Sequence, residues 1–139
     1  MGEALKQAQI ALEEGEIPVG AVVVCKGRVI ARAYNQVEKL QDATAHAEML
    51  AISAASEALG SKYLDQCALY VTLEPCTMCG GALNWSQLQK VVYAVSDEKR
   101  GCLRHDKTVL HPKTEIITGV KTVEATKILN DFFEELRSK

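Results

Sequence analysis

Two short segments constrain this chain more than any other feature of its sequence. Thr44-Ala45-His46-Ala47-Glu48 supplies an imidazole and a carboxylate two residues apart, and Pro75-Cys76-Thr77-Met78-Cys79 supplies two thiols three residues apart. One imidazole and two thiolates suit a tetrahedral zinc ion whose fourth position stays open for water, which is the arrangement of a catalytic site. The remaining carboxylate is free to move that water's proton. The fold must therefore bring both segments to one point.

The spacing within each segment predicts where that point lies. Cys76 and Cys79 are at positions i and i+3, so on a helix beginning with Pro75 both sulfur atoms face the same way. In the first turn, the positive end of the helix dipole lowers the pKa of a thiol. Thr44 is a candidate N-cap of a helix over 45–58, and His46 and Glu48 converge on a metal only at its N-terminal end. We therefore expect two helix N-termini to point at one metal.

Apolar periodicity gives an order of elements that alternates strands with helices. Gly20 interrupts the first strand, and a strand glycine often marks the close approach of another backbone or a ligand. An opening hairpin followed by alternating elements predicts an α/β fold, with helices on both faces of a mixed five-stranded sheet. The predicted strands cover 17–25, 29–34, 68–73, 90–95 and 115–118, and the predicted helices cover 3–14, 45–58, 75–86 and 123–137.

Length and composition limit the class of protein. The chain has 139 residues, which predicts one domain over 1–139. No apolar run approaches the ~20 residues that a membrane span needs, and no signal-peptide pattern opens the chain. Five cysteines is an odd number, so we expect reduced thiols and a cytoplasmic protein. The net charge of −2 gives no general attraction to nucleic acid, so any such binding requires a local basic patch.

Two other interpretations of the thiols stay open at this point. A Cys-x-x-Cys pair near an α/β pattern is often a redox pair. A structural zinc site would require a fourth protein ligand, which Cys67, Cys102, His105 or His111 could supply. The presence of both segments together favours the catalytic site over either alternative. Within strand patterns, Cys25 and Cys67 are more typical of small core residues.

The two segments match the H-x-E…P-C-x-x-C pattern of the zinc-dependent nucleobase deaminases. Ile17-Pro18-Val19-Gly20-Ala21, the strand into Pro75 and Cys76, and the closing Asp131-Phe132-Phe133 further resemble the bacterial tRNA-specific adenosine deaminases. The resemblance extends over nearly the whole chain. It implies a cytidine-deaminase-like three-layer α/β/α sandwich, and a homodimer that hydrolyses adenosine to inosine at the wobble position of a tRNA anticodon.

The same resemblance implies a role for individual residues. His46, Cys76 and Cys79 match the ligands of one zinc ion per chain, and Glu48 matches the residue that transfers the proton. Asn35 matches an asparagine that hydrogen-bonds the target base, and Ala47 would offer its backbone to it. Contacts with the tRNA anticodon loop are expected from a basic segment that follows the last long strand, with candidates Lys99, Arg100, Arg104, Lys107 and Lys113.

Two rival functions remain on the sequence alone. A deaminase of a free nucleobase, guanine or cytosine, is favoured by the near-neutral charge and by Trp85, since a tryptophan there also occurs in guanine deaminases. The segment Asp97-Glu98-Lys99-Arg100-Gly101 opposes it, because it resembles the tRNA enzymes. A zinc-stabilised RNA-binding module without turnover is the second rival. It has no use for Glu48 beside the metal.

Overall fold

A computed structural model describes residues 1–104 and 109–139 of the chain. Its strands are β1 (Gly20–Cys25), β2 (Arg28–Tyr34), β3 (Cys67–Leu73), β4 (Lys90–Val95) and β5 (Glu115–Thr118). Its α-helices are α1 (Gly2–Glu13), α2 (Val37–Leu40), α3 (Ala47–Leu59), α4 (Thr77–Ser86) and α5 (Thr122–Arg137), with a short 3₁₀ helix at Cys102–Arg104.

The strands form one mixed sheet in the order β2-β1-β3-β4-β5. β1 pairs antiparallel with β2 and with β3, whereas β3 with β4 and β4 with β5 are parallel. Helices α1 and α5 contact each other and the sheet, while α3 packs on β1 and β2 and also contacts α4. The prediction of a mixed five-stranded sheet between helical layers is confirmed.

Small side chains let α3 lie close to the sheet. Ala47, Ala51 and Ala55 are completely buried and join a core that includes Ala21 and Val23 of β1. The helical spacing of Met49, Ile52 and Leu59 predicts that these larger side chains form the apolar face of this helix. That prediction is wrong at Leu59, which is 43% exposed, whereas Ile52 packs partly buried against the core. The close contact is made by alanines because a larger residue would hold the helix further from the strands.

Gly20 marks a close approach of two backbones, as its place in a strand predicted. A Cβ atom there would collide with the carbonyl oxygen of Ala4 and the amide nitrogen of Ala8, both on α1. The expected strand over 17–25 begins only at Gly20. Pro18 lies in the part of the predicted strand that precedes β1. It has no N–H to donate to a neighbouring strand, which accounts for the later start.

Across residues 1–104 and 109–139, no helix combines the length and the apolar character that a membrane crossing requires.

Candidate active site

The two segments that carry the candidate ligands, residues 44–48 and 75–79, meet where β3 and β4 end and β1 begins. His46 is the N-cap of α3 and Cys76 is the N-cap of α4, both with extended backbone. The sequence placed these starts differently, with Thr44 as a cap and Pro75 inside the helix. Thr44 instead donates its N–H and hydroxyl to Asp42 Oδ1, at 2.8 and 2.7 Å. The expectation that two helix N-termini converge on one point is confirmed.

Because His46 and Cys76 are N-cap residues, their side chains lie at the ends of the two helices, where they can act as ligands. The side chain of His46 makes no hydrogen bond to its own helix. Cys76 Sγ accepts the N–H of Cys79 at 3.5 Å, so the first turn of α4 holds the sulfur against the positive end of the helix. Cys79 lies in that first turn and is completely buried. The backbone of α4 therefore holds the Cys76 sulfur at the start of the helix, and Cys79 lies buried in the same turn.

The three ligand atoms have the spacing of a tetrahedral zinc site. Nδ1 of His46 lies 3.6 Å from Cys76 Sγ and 3.5 Å from Cys79 Sγ. Zinc bonds of ~2.3 Å to sulfur and ~2.0 Å to nitrogen, at a tetrahedral angle, place such atoms about 3.5 Å apart. All three atoms lie within 4.8 Å of one another. The residues present thus fit a metal ion, with one coordination position left for another ligand.

Hydrogen bonds among these three side chains shift the pKa of each of them. The hydrogen bond from the Cys79 side chain lowers the pKa of the Cys76 thiol to about 4, with His46 adding to the effect and burial opposing it. The same hydrogen bond, together with burial, raises the pKa of Cys79. The hydrogen bond with Cys76 raises the pKa of His46. A metal that takes all three as ligands must therefore displace protons, which makes its affinity fall as the pH falls.

Glu48 lies in the first turn of α3, where it is buried next to the candidate ligands. Its side chain is 4% exposed, and burial raises its pKa to about 7, against the opposing effect of His46. A pKa near the working pH lets one carboxyl group accept and return a proton efficiently. Glu48 therefore has both the place and the proton affinity of a general acid–base group.

A cavity of about 640 Å³ opens beside this cluster. Its wall includes His46, Glu48 and Cys76, together with Asn35 and Ala47. Phe132, Phe133 and Leu136 of α5 form another part of the wall. A cavity of this size takes a nucleobase with its sugar, and its apolar parts exclude water from the polar groups at its base.

Asn35 presents an unpaired acceptor in this cavity wall. The residue is 7% exposed, and its Nδ2 donates to the carbonyl of Ile17 at 3.2 Å. Oδ1 is buried and has no hydrogen-bond partner among the described residues. Buried polar atoms are normally paired, so this acceptor is available for a hydrogen-bond donor that enters the cavity.

The other described cysteines and histidine do not join the cluster. Among the described residues, His46, Cys76 and Cys79 form the one group of metal-ligating side chains close enough to hold an ion. Cys67, Cys102 and His111 therefore do not supply a fourth ligand, and His105 lies outside the described residues. Cys67 and Cys102 are buried in the core cluster. Within residues 1–104 and 109–139, the site has three protein ligands rather than the four that a structural zinc site requires.

The basic segment expected to contact RNA lies only partly at the cavity. Arg100 lines it, whereas Lys99 and Arg104 are exposed on the same segment. Lys113 is exposed further along the chain. Lys107 lies outside the described residues.

Sequence reasoning missed two buried carboxylates beside the cavity. Glu16, 2% exposed, accepts the N–H groups of Glu38 and Lys39 at 3.1 and 2.8 Å and so caps α2. Glu74, 5% exposed, accepts the N–H groups of Asp97 and Leu103, both at 3.0 Å. Each binds backbone far away in the chain, which leaves no local spacing for a sequence pattern to detect.

Comparison with known proteins agrees with this geometry. The model of the MafB19-like deaminases matches residues 1–137. The tRNA-specific adenosine deaminase of Aquifex aeolicus is 46% identical over an alignment of 140 positions, which covers 97% of this chain and 92% of that protein. The chain belongs to the bacterial tRNA-specific adenosine deaminase family.

Solved deaminase structures confirm the fold of this family member. A structure from work on A-to-I editing by tRNA A34 deaminases has a TM-score of 0.87 and 40% identity, with 93% of this chain and 97% of that chain covered. The guanine deaminase of Nitrosomonas europaea has a TM-score of 0.80 at 25% identity, with coverage of 94% and 81%. The guanine deaminase of Bacillus subtilis reaches 42% identity but covers 68% of this chain and 61% of that chain, with a TM-score of 0.65. The higher TM-score of the tRNA A34 deaminase and the 46% identity of the Aquifex aeolicus enzyme over 97% of this chain favour the tRNA-editing deaminases.

Proposed function

We propose that this protein hydrolyses adenosine to inosine at the wobble position of a tRNA anticodon and releases ammonia. The observation that carries this proposal is the tetrahedral arrangement of His46, Cys76 and Cys79 next to buried Glu48. It occurs in a chain whose similarity to tRNA-specific adenosine deaminases covers nearly its full length. The reaction consumes one water and replaces the exocyclic amine of adenine with oxygen.

Zinc is the metal proposed for this site, one ion per chain. His46 through Nδ1 and the thiolates of Cys76 and Cys79 would hold it, and their 3.5–3.6 Å nitrogen–sulfur distances support this assignment. When bound in such a site, zinc lowers the pKa of water to about 7 and so makes a nucleophile available at neutral pH.

Glu48 is the proposed proton carrier. Its carboxylate accepts one proton from the attacking water and passes it to the ring nitrogen. It then accepts the second proton of the same oxygen and passes it to the amine, which leaves as ammonia. Its burial favours the neutral form enough that both protonation states are accessible near neutral pH. Among the other described carboxylates of the cavity wall, Glu16, Glu74 and Asp97 accept backbone N–H groups, and Glu38 is exposed to solvent.

Asn35 and Ala47 are proposed to orient the base. The unpaired Oδ1 of Asn35 can accept a hydrogen bond from an adenine N–H. Ala47 is completely buried at the start of α3 and lines the same cavity. Its short side chain lets a base approach the backbone. The base must leave its stack to enter, which a flexible anticodon loop allows at lower cost than a duplex.

Phosphate contacts are proposed for the basic segment after β4. Arg100 at the cavity and exposed Lys99 and Arg104 support this assignment, and Lys107 is included from the sequence alone. The net charge is −2, so affinity for tRNA must come from such a local group. With about three phosphate contacts, log affinity should fall against log salt with a slope near −2.

A homodimer is the proposed assembly, and the exposed surface of α4 supports it. Trp85 is 83% exposed and Met78 is 38% exposed. The sequence near Trp85 also offers the apolar residues Leu83 and Leu88 for such a surface. Each is 1% exposed, so both belong to the core of one chain and not to an interface. The proposed interface thus centres on Trp85.

The substrate is tested by incubating the zinc-loaded protein with tRNA that carries adenosine at the wobble position and sequencing for inosine. We expect inosine at that position and none in the matched tRNA with adenosine elsewhere in the loop. Guanine and cytosine, assayed in parallel for ammonia, should not react. Ammonia from a free base without inosine in tRNA would replace the proposed function with the free-base alternative.

The structure weakens one argument for that alternative. Trp85, the residue that resembles guanine deaminases, is not among the described residues that line the cavity. It therefore cannot select the base by direct contact within one chain.

A further inference from the structure

Glu74 is the last residue before the Pro75–Cys76 segment and makes contacts that none of the roles above uses. Its carboxylate is almost completely buried, with Oε1 accepting the N–H of Asp97 and Oε2 the N–H of Leu103, each at 3.0 Å. In the described part of the chain, no ion pair involves this residue. A buried charge paired only with backbone N–H groups is costly to place, so its two partners define what it does.

These partners delimit one loop, and the loop is also bound to the metal-ligand segment. Gly101 forms an isolated bridge with Cys76, and the N–H of Cys102 donates to the carbonyl of Pro75 at 2.8 Å. Any side chain at Gly101 would collide with the Glu74 carboxylate. The loop over 97–103 is therefore fixed to the same three residues that deliver Cys76 to the metal.

Arg100 is the residue that this loop presents to the cavity. Its N–H donates to Asp97 Oδ1 at 3.1 Å, and Asp97 in turn donates its own N–H to Glu74. The side chains of Arg100 and Asp97 line the cavity together. The Glu74 carboxylate at one end of these hydrogen bonds thus fixes the backbone of Arg100 at the other, from which its side chain extends.

We infer that Glu74 is a positioning residue that fixes Arg100 for contact with a phosphate of the bound nucleotide, in register with the metal ligands. The inference rests on the proposed function, since it assumes an RNA substrate. Glu74 itself touches no substrate. It acts through the backbone of the loop, so its loss should remove the contribution of Arg100 while leaving the metal in place.

A double-mutant cycle tests this inference. Glu74→Gln, Arg100→Ala and the double variant are compared for KM and kcat on tRNA, and for binding of an anticodon stem-loop carrying inosine, which is not consumed, at several salt concentrations. Arg100→Ala should raise KM about tenfold and make the log–log salt slope about 0.7 shallower. Glu74→Gln should do the same with kcat nearly unchanged, and the double variant should be no worse than Arg100→Ala.

Controls separate positioning from a loss of folding. Glu98→Gln removes the same charge from an exposed side chain in the same loop and should leave KM within about twofold. If Glu74→Gln does not fold, Gly101→Ala takes its place, because it disturbs the same contact from the loop. Gly101→Ala should then raise KM and make the salt slope shallower, as expected for Glu74→Gln. Zinc content and thermal unfolding are measured for every variant.

Each outcome has a separate meaning. The positioning role would be overturned by a wild-type salt slope in folded Glu74→Gln and Gly101→Ala, or by additive losses in the double variant. In that case, inosine formation by the wild-type protein would still uphold the proposed function. If the wild type forms no inosine and binds no stem-loop, the proposed function fails and this inference falls with it.

Discussion

At the scale of single residues, the site depends on two side chains that occupy helix N-caps rather than helical positions. Cys76 accepts a backbone N–H from its own helix, and His46 leaves its ring free to face both sulfur atoms. An N-cap residue has extended backbone, so its side chain points beyond the helix end instead of along its flank. This is why residues on two different helices can meet at one point.

Cys76→Ala should remove zinc and also loosen the start of α4, because the substitution deletes a ligand and the acceptor for the Cys79 N–H. Loss of a helix cap typically costs about 0.5–2 kcal/mol of stability. We expect less than one tenth of the wild-type zinc by metal analysis after dialysis, and a lower thermal midpoint even when chelator has removed zinc from both proteins. Cys25→Ala, a cysteine away from the cluster, serves as the control. Full zinc content in Cys76→Ala would exclude this thiol as a ligand.

Glu48→Gln should separate binding from chemistry. The amide keeps the size of the side chain but cannot accept the proton, so kcat should fall by at least about 10². Zinc content and affinity for an inosine-bearing stem-loop should stay close to wild type. Glu57→Gln, an exposed position on the same helix, provides the comparison. Wild-type turnover by Glu48→Gln would place the proton transfer elsewhere.

The sequence could predict the identity of the clustered residues but not the manner in which they are held. Metal ligands carry a recognisable spacing, because i and i+3 positions share a helix face, and this was sufficient for Cys76 and Cys79. Glu16 and Glu74 carry no such pattern. Their partners are backbone N–H groups more than twenty residues away, and only the folded chain brings them within 3.1 Å. Buried carboxylates of this kind are visible only after the fold is known.

At the scale of the elements, the placement of the site depends on how closely α1 and α3 approach the sheet. Alanines on α3 and Gly20 on β1 allow this approach, and α3 carries His46 and Glu48 at its start. Where an element has a strong local pattern, its bounds were predictable: β4 and β5 begin and end as the sequence indicated. Helix α2 was not predicted, because its four residues are held by Glu16 rather than by their own periodicity.

Gly20→Ala tests the importance of this close approach. The added methyl group would collide with two backbone atoms of α1, which have no room to move without shifting the helix. Overpacking of this kind typically costs about 1–3 kcal/mol. Denaturant unfolding should show this loss, whereas Gly2→Ala, in open space at the start of α1, should change stability by less than about 0.5 kcal/mol. Equal stability of both variants would show that α1 is not held against β1.

At the scale of the whole molecule, charge and exposed apolar surface are arranged unevenly. The net charge is −2, yet the loop after β4 carries Lys99, Arg100 and Arg104, of which Arg100 lines the cavity. This distribution favours an RNA-binding function confined to one face rather than general affinity for polyanions. Sequence composition alone could not show this arrangement, because the position of the loop depends on its contacts with Glu74 and Pro75.

The exposed face of α4 leads to the last prediction, that two copies of the chain associate through Trp85. A tryptophan that is 83% exposed is unusual for a monomer, since an aromatic ring of this size stabilises an interface strongly when it is buried. Trp85→Lys should convert a dimer into a monomer by light scattering at micromolar concentration. Val123→Lys, an apolar residue 80% exposed at the start of α5, should leave the assembly unchanged. A wild-type monomer under these conditions, or a dimer that tolerates lysine at position 85, would exclude this surface as the interface.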